Sequence, residues 1–133
     1  MKKLIIPITV LLVLGLFISL FFVLGNKPAK SYDTKTSQGE ATIDITPKII
    51  ENGKFVFSIA LNTHSVSLEN YNLMELTTLN YNGKSVKPIS ALKLAGHHNN
   101  GEISFDVGND KPENFKITIN SIPDIEERIF EWN

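Results

Sequence analysis

The sequence contains no cysteine, only one tryptophan and two methionines. Without cysteine the chain has no disulfide, no thiolate ligand for zinc and no thiol nucleophile. It also lacks a Gly-x-Ser-x-Gly elbow and a Gly-rich phosphate loop, the motifs by which common enzyme classes are recognised. The acidic pair Glu126-Glu127 is typical of a solvated turn. We therefore predict that the protein is not an enzyme.

Positive charge is scarce beyond the first thirty residues. All fourteen Asp and Glu, but only nine of the thirteen Lys and Arg, lie in residues 31–133, which gives this part a net charge of −5. An acidic surface repels phosphate backbones, so the sequence predicts no nucleic-acid partner. A stretch of about 100 residues is long enough for one small domain with one hydrophobic core.

One long apolar run is present, because residues 4–25 carry no charge. A helix of this length is about 33 Å long at 1.5 Å per residue, which spans a hydrocarbon core of about 30 Å. We predict a transmembrane anchor over residues 1–25 that contacts the lipid bilayer through residues 4–25. Lys2 and Lys3 favour a single pass with a cytoplasmic N-terminus and an extracytoplasmic remainder. The alternative, a cleaved signal peptide, has a shorter apolar core of about 7–15 residues and an Ala-x-Ala site.

The remainder of the chain shows two compositions. Residues 26–39 are polar without apolar periodicity, which predicts a flexible stalk. Residues 40–133 alternate apolar and polar side chains, most clearly from Phe55 to Leu61, and Asn52-Gly53 and Asn82-Gly83 are typical hairpin turns. The pattern predicts about seven or eight strands in an all-β ectodomain, an immunoglobulin-like antiparallel β-sandwich. A small barrel is the alternative.

Several element boundaries follow from local signals. Pro47 is expected to end the first strand because proline cannot donate to a ladder. A strand is predicted over Leu73 to Tyr81, and a weaker edge strand over Val86 to Leu94, interrupted by Pro88. We expect loops over 96–101 and 121–127, and a last strand from Arg128 to Trp132.

The three histidines fall in predicted loops. His64 follows the strongest strand, and His97 and His98 precede the strand that contains Ile103. Loops of a sandwich gather at its ends, and neutral imidazole suits copper or zinc, so we predict a metal site at His64, His97 and His98. The carboxylates nearest in sequence are those of Glu69, Glu102 and Asp106. Adjacent residues of an extended chain point to opposite faces, so a minimal site uses His64 with one histidine of the pair. The alternative is that all three are ordinary loop residues.

Three segments carry a resemblance: Thr63-His64-Ser65, Gly96-His97-His98 with Gly101, and the final run from Glu127 to Trp132. Over roughly residues 40–133 the chain resembles secreted or membrane-anchored prokaryotic β-sandwich domains that pair a Thr-His-Ser segment with a Gly-His-His segment. No activity is attached to that family. The resemblance implies the sandwich fold and directs interest to the histidines.

These observations lead to a hypothesis of function and two alternatives. The first is a structural or interaction module that binds another envelope protein. The second is a module that holds copper or zinc through its loop histidines. The third is a pilin-like surface subunit, which has the same outline of an anchor followed by β-structure. The apolar run, however, has neither a processing glycine before it nor an acidic residue near its start.

Overall fold

Alternation of apolar and polar residues produces strands throughout residues 31–133, which form one unit. The structure is a computed structural model that describes Gly15 and residues 30–133. Within these residues the elements follow in this order: β1 (Lys35–Ser37), β2 (Ala41–Glu51), β3 (Lys54–Thr63), α1 (Leu73–Leu76), β4 (Thr77–Tyr81), β5 (Lys84–Val86), β6 (Pro88–Ala91), β7 (His98–Asp106), β8 (Phe115–Ile122) and β9 (Ile125–Trp132).

The strands form two antiparallel sheets. One sheet has the order β1-β2-β3-β7-β6 and the other has the order β5-β4-β8-β9. The inward side chains of both sheets form one buried cluster that includes Ile43, Phe57, Ile103, Ile117 and Phe130. This confirms the predicted all-β fold with its apolar faces turned inward.

The two Asn-Gly turns form as predicted. Asn52 and Gly53 have φ angles of 51° and 76°, and Asn82 and Gly83 have φ angles of 47° and 73°. Positive φ at both central residues is the conformation of a type I′ turn, which matches the twist of paired strands. The turns join β2 to β3 and β4 to β5.

Pro47 does not end its strand, contrary to the prediction. Pro47 lies opposite Phe57, and the next recorded pair joins Ile50 to Phe55, so Lys48 and Ile49 form a β-bulge. A bulge interrupts the ladder locally and lets the strand continue beyond a residue that has no N–H. As a result, β2 extends to Glu51.

The segment from Leu73 to Tyr81 is only partly a strand, because it begins with the single turn α1. The side-chain oxygen of Asn72 accepts a hydrogen bond from the N–H of Met74, which is an N-cap. The Lys87 ammonium donates to the carbonyls of Glu75 and Thr77, 2.7 and 3.1 Å away. Side chains thus satisfy both ends of the turn, and this capping outweighs the alternation that predicted a strand.

Further boundaries differ from the prediction. The strand expected over Val86 to Leu94 changes sheets at Lys87, because β5 pairs with β4 whereas β6 pairs with β7. The prediction of an edge is confirmed for β6. The loop expected over 96–101 ends at the start of β7. The loop expected over 121–127 is a tight turn around Pro123, and β9 begins at Ile125.

The predicted flexible stalk, residues 26–39, differs from the structure over its described part. Lys35, Thr36 and Ser37 pair with Ile45, Asp44 and Ile43 of β2, so residues 35–37 belong to the domain. The predicted membrane helix, residues 4–25, lies outside the described residues except for Gly15. Among the residues that are described, no helix combines the length and apolarity needed to cross a membrane.

The sandwich has two ends that differ in composition. At one end, which we call the aromatic end, lie the turns at Asn52-Gly53 and Asn82-Gly83, the start of β8 and the end of β9. The chain enters the domain here, because the Trp132 indole N–H donates to the Asp33 carbonyl and the Tyr32 ring contacts Phe115. The opposite end, which we call the histidine end, carries loops 64–72 and 92–97 and the turn at 123–124.

Candidate functional site

The structure brings all three histidines to the histidine end. His64 directly follows β3, whereas His98 begins β7 and lies opposite Asn62 of β3. The ring centroids of His64 and His98 are 5.5 Å apart and the ring planes are inclined by 72°. The minimal metal site of His64 with one histidine of the adjacent pair stays a prediction, and the ring that contacts His64 is that of His98.

Backbone hydrogen bonds hold the two histidine-bearing loops together. The N–H of Thr63 donates to the His97 carbonyl at 2.9 Å, and the N–H of Leu68 donates to the Gly96 carbonyl at 3.0 Å. The buried hydroxyl of Thr63 accepts from the N–H groups of Ser65 and Val66. The loop after β3 is therefore fastened at both ends to the segment before β7, which fixes the histidine backbones relative to each other.

Two of the imidazoles are oriented by acceptors on their Nδ1 atoms. His97 Nδ1 lies 2.9 Å from the Val66 carbonyl oxygen, and His98 Nδ1 lies 3.1 Å from the side-chain oxygen of Asn62. Both partners are acceptors, so each Nδ1 carries the proton and donates it. In the neutral imidazole the lone pair is then on Nε2. A hydrogen bond on one ring nitrogen that orients the other is the arrangement found behind metal-bound histidines.

Glu69 lies on the exposed loop at the histidine end, but the other two carboxylates expected near the histidines are engaged elsewhere. Asp106 lies at the aromatic end, where its side chain accepts from the N–H of Gly108. Glu102 forms an ion pair with Lys48 at 2.8 Å. Among the described residues, no group of three or more His, Cys, Asp or Glu side chains is placed to hold a metal ion. Any cation at His64 and His98 would therefore take its remaining ligands from water or a partner.

Acidic side chains outnumber basic ones at the histidine end. Its acidic side chains are Glu40, Glu69, Glu75, Asp124, Glu126 and Glu127. The basic residues at this end are Lys93, Arg128, whose side chain is buried against Asp124, and Lys87, whose ammonium donates to the carbonyls of Glu75 and Thr77. The excess of acidic side chains attracts cations and basic partners and strengthens their encounter at low salt.

A groove lies beside the histidine loops. It is lined by residues 69–74 on one side and 91–94 on the other. Tyr71 and Leu92 pack against the core from here, whereas the Met74 side chain is exposed. No sequence pattern predicted this groove, because it depends on α1 and on the change of sheets at Lys87.

Sequence reasoning also missed the role of Asn62. It stands on the outward face of β3 and becomes the partner of His98 only through the register between β3 and β7, which pairs residues 36 positions apart. Chemically, the site offers two contacting imidazoles, an acidic surround and a partly apolar groove, which together suit a cation or a basic protein surface. No protein-family model, curated protein or solved structure matches the chain.

Proposed function

We propose that the protein is a membrane-anchored, extracytoplasmic interaction module that presents its histidine end to another envelope protein. The observation that carries this proposal is the polarity of the domain. The chain enters at the aromatic end, beside Asp33 and Trp132, and the longest loop, residues 64–72, lies at the opposite end. Loops held by a rigid scaffold are where proteins place their binding residues.

We infer further that the sandwich is immunoglobulin-like. The order β2-β3-β7-β6 corresponds to strands A-B-E-D of an immunoglobulin domain, and β5-β4-β8-β9 corresponds to C′-C-F-G. In this correspondence, the loop 64–72 takes the place of the B–C loop and the turn at 123–124 takes that of the F–G loop. Both loops belong to the end that immunoglobulin variable domains use for recognition.

The charge of the histidine end indicates the chemistry of the partner. Exposed carboxylates at this end, such as those of Glu69 and Glu126, favour a protein whose contacting face is rich in Lys and Arg. Attraction between exposed charges is screened over a Debye length of about 8 Å at physiological ionic strength. The association is therefore expected to weaken as salt is raised.

The location is tested with a cysteine placed in a chain that has none. Asn70→Cys puts a thiol on the exposed loop at the histidine end. In intact cells a membrane-impermeant maleimide should label this variant as fully as it does after the cells are opened. Labelling only after the cells are opened would contradict the extracytoplasmic placement.

The interaction is tested by photocrosslinking from defined positions. A photoreactive amino acid at Asn70, at the histidine end, should give discrete adducts that weaken at high salt. The same amino acid at Asn82, in the turn at the aromatic end, is the matched control. Equal adducts from both positions, or none from Asn70, would contradict the proposal. Adducts of the chain with itself would favour the pilin-like alternative.

Metal binding is a second candidate function, favoured by the orientation of His98 by Asn62. Copper or zinc would bind Nε2 of His98 together with His64, and the amide of Asn62 would act as the outer partner. Zinc or copper should then raise the melting temperature of the wild type and leave those of His64→Ala and His98→Ala unchanged. Asn62→Ala should lower metal affinity by about 10–100-fold. If the wild type shows no shift with either metal, this candidate is wrong.

A further inference from the structure

We infer that the aromatic end rests on the lipid surface and that Ile49 and Ile50 form its contact. This inference rests on the proposed membrane anchor and adds which face of the domain the lipid meets. The side chains of these neighbouring residues are 51% and 38% exposed, although each is a large hydrophobe. Exposed apolar residues that lie together mark an interaction surface more often than single ones do.

The bulge after Pro47 turns Ile49 away from the core face, whereas Ile50 pairs with the buried Phe55 and is exposed because it lies near the end of its strand. Up to Pro47, alternate residues of β2 are buried, including Ile43 and Ile45. At the bulge, Lys48 and Ile49 together oppose the single residue Val56, and the alternation of faces is lost. Ile49 is thereby exposed on the outer face, and Ile50 remains 38% exposed near the end of a strand whose other apolar residues are buried.

The contact is presented on a rigid support. The turn that follows Ile50 has Asn52 and Gly53 in the left-handed region, and the Gly53 carbonyl accepts from the N–H of Val107 at 2.8 Å. A rigid apolar tip loses little conformational entropy when it enters an interface. It therefore retains more of the free energy of burying its side chains.

The length of chain before the domain places the lipid close to this end. Tyr32, whose ring contacts Phe115, is seven residues beyond Gly25, where the apolar run ends. Seven extended residues span at most about 24 Å. Thr34 pairs with Thr46 through their hydroxyls, so the incoming chain lies beside β2 only a few residues before the isoleucines. The chain thus enters the domain at the end that carries the two isoleucines.

Charge favours the same orientation. Around the isoleucines, Lys48 and Lys54 accompany Glu51 and Asp106, so the two signs balance. The histidine end is acidic and would be repelled by anionic headgroups. A tethered domain needs little intrinsic affinity for the lipid surface, because the tether holds it there at an effective concentration on the order of millimolar. Two partly inserted isoleucines are then sufficient to set the orientation.

The test compares two equally exposed isoleucines in the full chain. Ile49→Cys and Ile129→Cys each receive an environment-sensitive fluorophore, and each chain is reconstituted in phosphatidylcholine–phosphatidylglycerol vesicles. Ile129 is 53% exposed on the outer face of β9, so it is a matched control. Nitroxide lipids labelled near the headgroup should quench the fluorophore at position 49 at least about twofold more than the one at position 129.

Two results would overturn the inference, and they are distinguishable. Equal quenching of both fluorophores, in a chain that stays with the vesicles after alkaline carbonate, removes the lipid contact and leaves the anchor intact. Release of the chain by carbonate removes the anchor and the contact together. Ile50→Cys serves as a second probe, since its quenching should follow that of position 49 even if one label disturbs the turn.

Discussion

The two ends of the sandwich are built by different chemistry. The aromatic end is a cluster of rings: Phe115 stacks on Trp132 with centroids 5.3 Å apart, and Phe55 meets Phe115 edge-on at 4.8 Å. Phe57 contacts Phe105 and Trp132 in the same cluster. Such pairs add about 0.5–1.5 kcal/mol each beyond the burial of their surface. At this end, the packing of aromatic rings holds the chain where it enters the domain.

The histidine end adds a network of polar contacts around a buried charge to its apolar packing. The Arg128 guanidinium donates to the Ser37 hydroxyl at 2.8 Å, to the Asp124 carboxylate at 3.2 Å and to the Pro123 carbonyl at 3.3 Å. Its side chain is fully buried. Burial lowers the pKa of Arg128, and the charge of Asp124 opposes that shift. The Asp124 carboxylate also accepts from the N–H of Glu40, so the network joins the start of β2 to the turn before β9.

The contrast between the two ends indicates which part of the domain stabilises the fold and at which positions the side chains can vary. Apolar packing needs no particular loop sequence, so the aromatic end stabilises the fold whatever surrounds the histidines. Behind the loops at the histidine end, a few hydrogen bonds fix the backbone and leave His64 and Glu69 exposed. The exposed side chains at this end can therefore change with little cost in folding free energy, which suits a surface that serves recognition.

The largest effect is expected at the aromatic end. Phe57→Ala should lower the free energy of unfolding by about 3–5 kcal/mol, because it removes a fully buried ring and leaves a cavity between the sheets. Urea denaturation followed by far-UV circular dichroism measures the change. Val56→Ala, one residue earlier on the outward face, is the control and should cost less than about 1 kcal/mol. Similar losses in both variants would show that the rings do not dominate this end.

The next effect is expected at the buried charge of the histidine end. Arg128→Met should lower the free energy of unfolding by about 2–3 kcal/mol, since it leaves the acceptors on Ser37, Pro123 and Asp124 without their donor. Arg128→Lys should recover less than half of this loss, because an ammonium cannot reach several acceptors as a planar guanidinium does. Hydrogen exchange should accelerate in β1 of both variants. Unchanged hydrogen exchange at Ser37 would contradict the role of Arg128 in holding β1 against the domain.

A much smaller effect on stability is expected at the histidines themselves. His64→Ala should change the free energy of unfolding by less than about 0.5 kcal/mol, because the side chain is exposed and its backbone neighbours are held independently. The same substitution should reduce crosslinking from Asn70, as contact with a partner requires. If His64→Ala unfolds the domain instead, the histidine end is structural and the contrast between the two ends fails.

The smallest effect is expected at an exposed ion pair of the aromatic end. Lys84 donates to Asp110 at 2.6 Å, and this hydrogen bond lowers the pKa of Asp110 and raises the pKa of Lys84. A carboxyl whose pKa is depressed on folding stabilises the fold above its unfolded pKa of about 3.9 and loses that contribution as the pH falls through the folded value. Asp110→Asn should therefore flatten the dependence of melting temperature on pH below about 4. If the melting temperature of Asp110→Asn falls with acid as that of the wild type does, the ion pair does not contribute to stability.

Local signals in the sequence predicted the strands and turns that depend on neighbours along the chain. The alternation from Phe55 to Leu61 and both Asn-Gly turns are of this kind, and all three are confirmed. Features that depend on distant partners were missed. Residues 35–37 form a strand without apolar alternation, because β1 is an edge strand whose side chains are mostly exposed. Arg128 is buried because Ser37, 91 positions away, supplies acceptors.

The candidate site was predicted in part for the same reason. Because sandwich loops gather at the ends, the sequence predicted that His64 could lie near the second histidine segment. Because adjacent residues of a strand face opposite sides, it also predicted that only one histidine of the pair would join His64. The register of β3 against β7 determines that His98 is the histidine that contacts His64 and that Asn62 orients it. The same register places Asp106 far from the histidines. It pairs residues that are far apart in sequence, so local patterns do not predict it.

The contacts of β9 with residues 33–37 have a consequence for the biosynthesis of the domain. Asp33 is held by Trp132 and Ser37 by Arg128, across 99 and 91 positions, so the earliest described part of the domain is secured by the last strand. Contacts this distant slow folding, since a long loop must close before any of them forms. While the chain is being made, Asp33 and Ser37 lack these contacts until residues 128–132 become available. A chaperone that shields residues 33–37 during that interval would raise the yield of the folded protein.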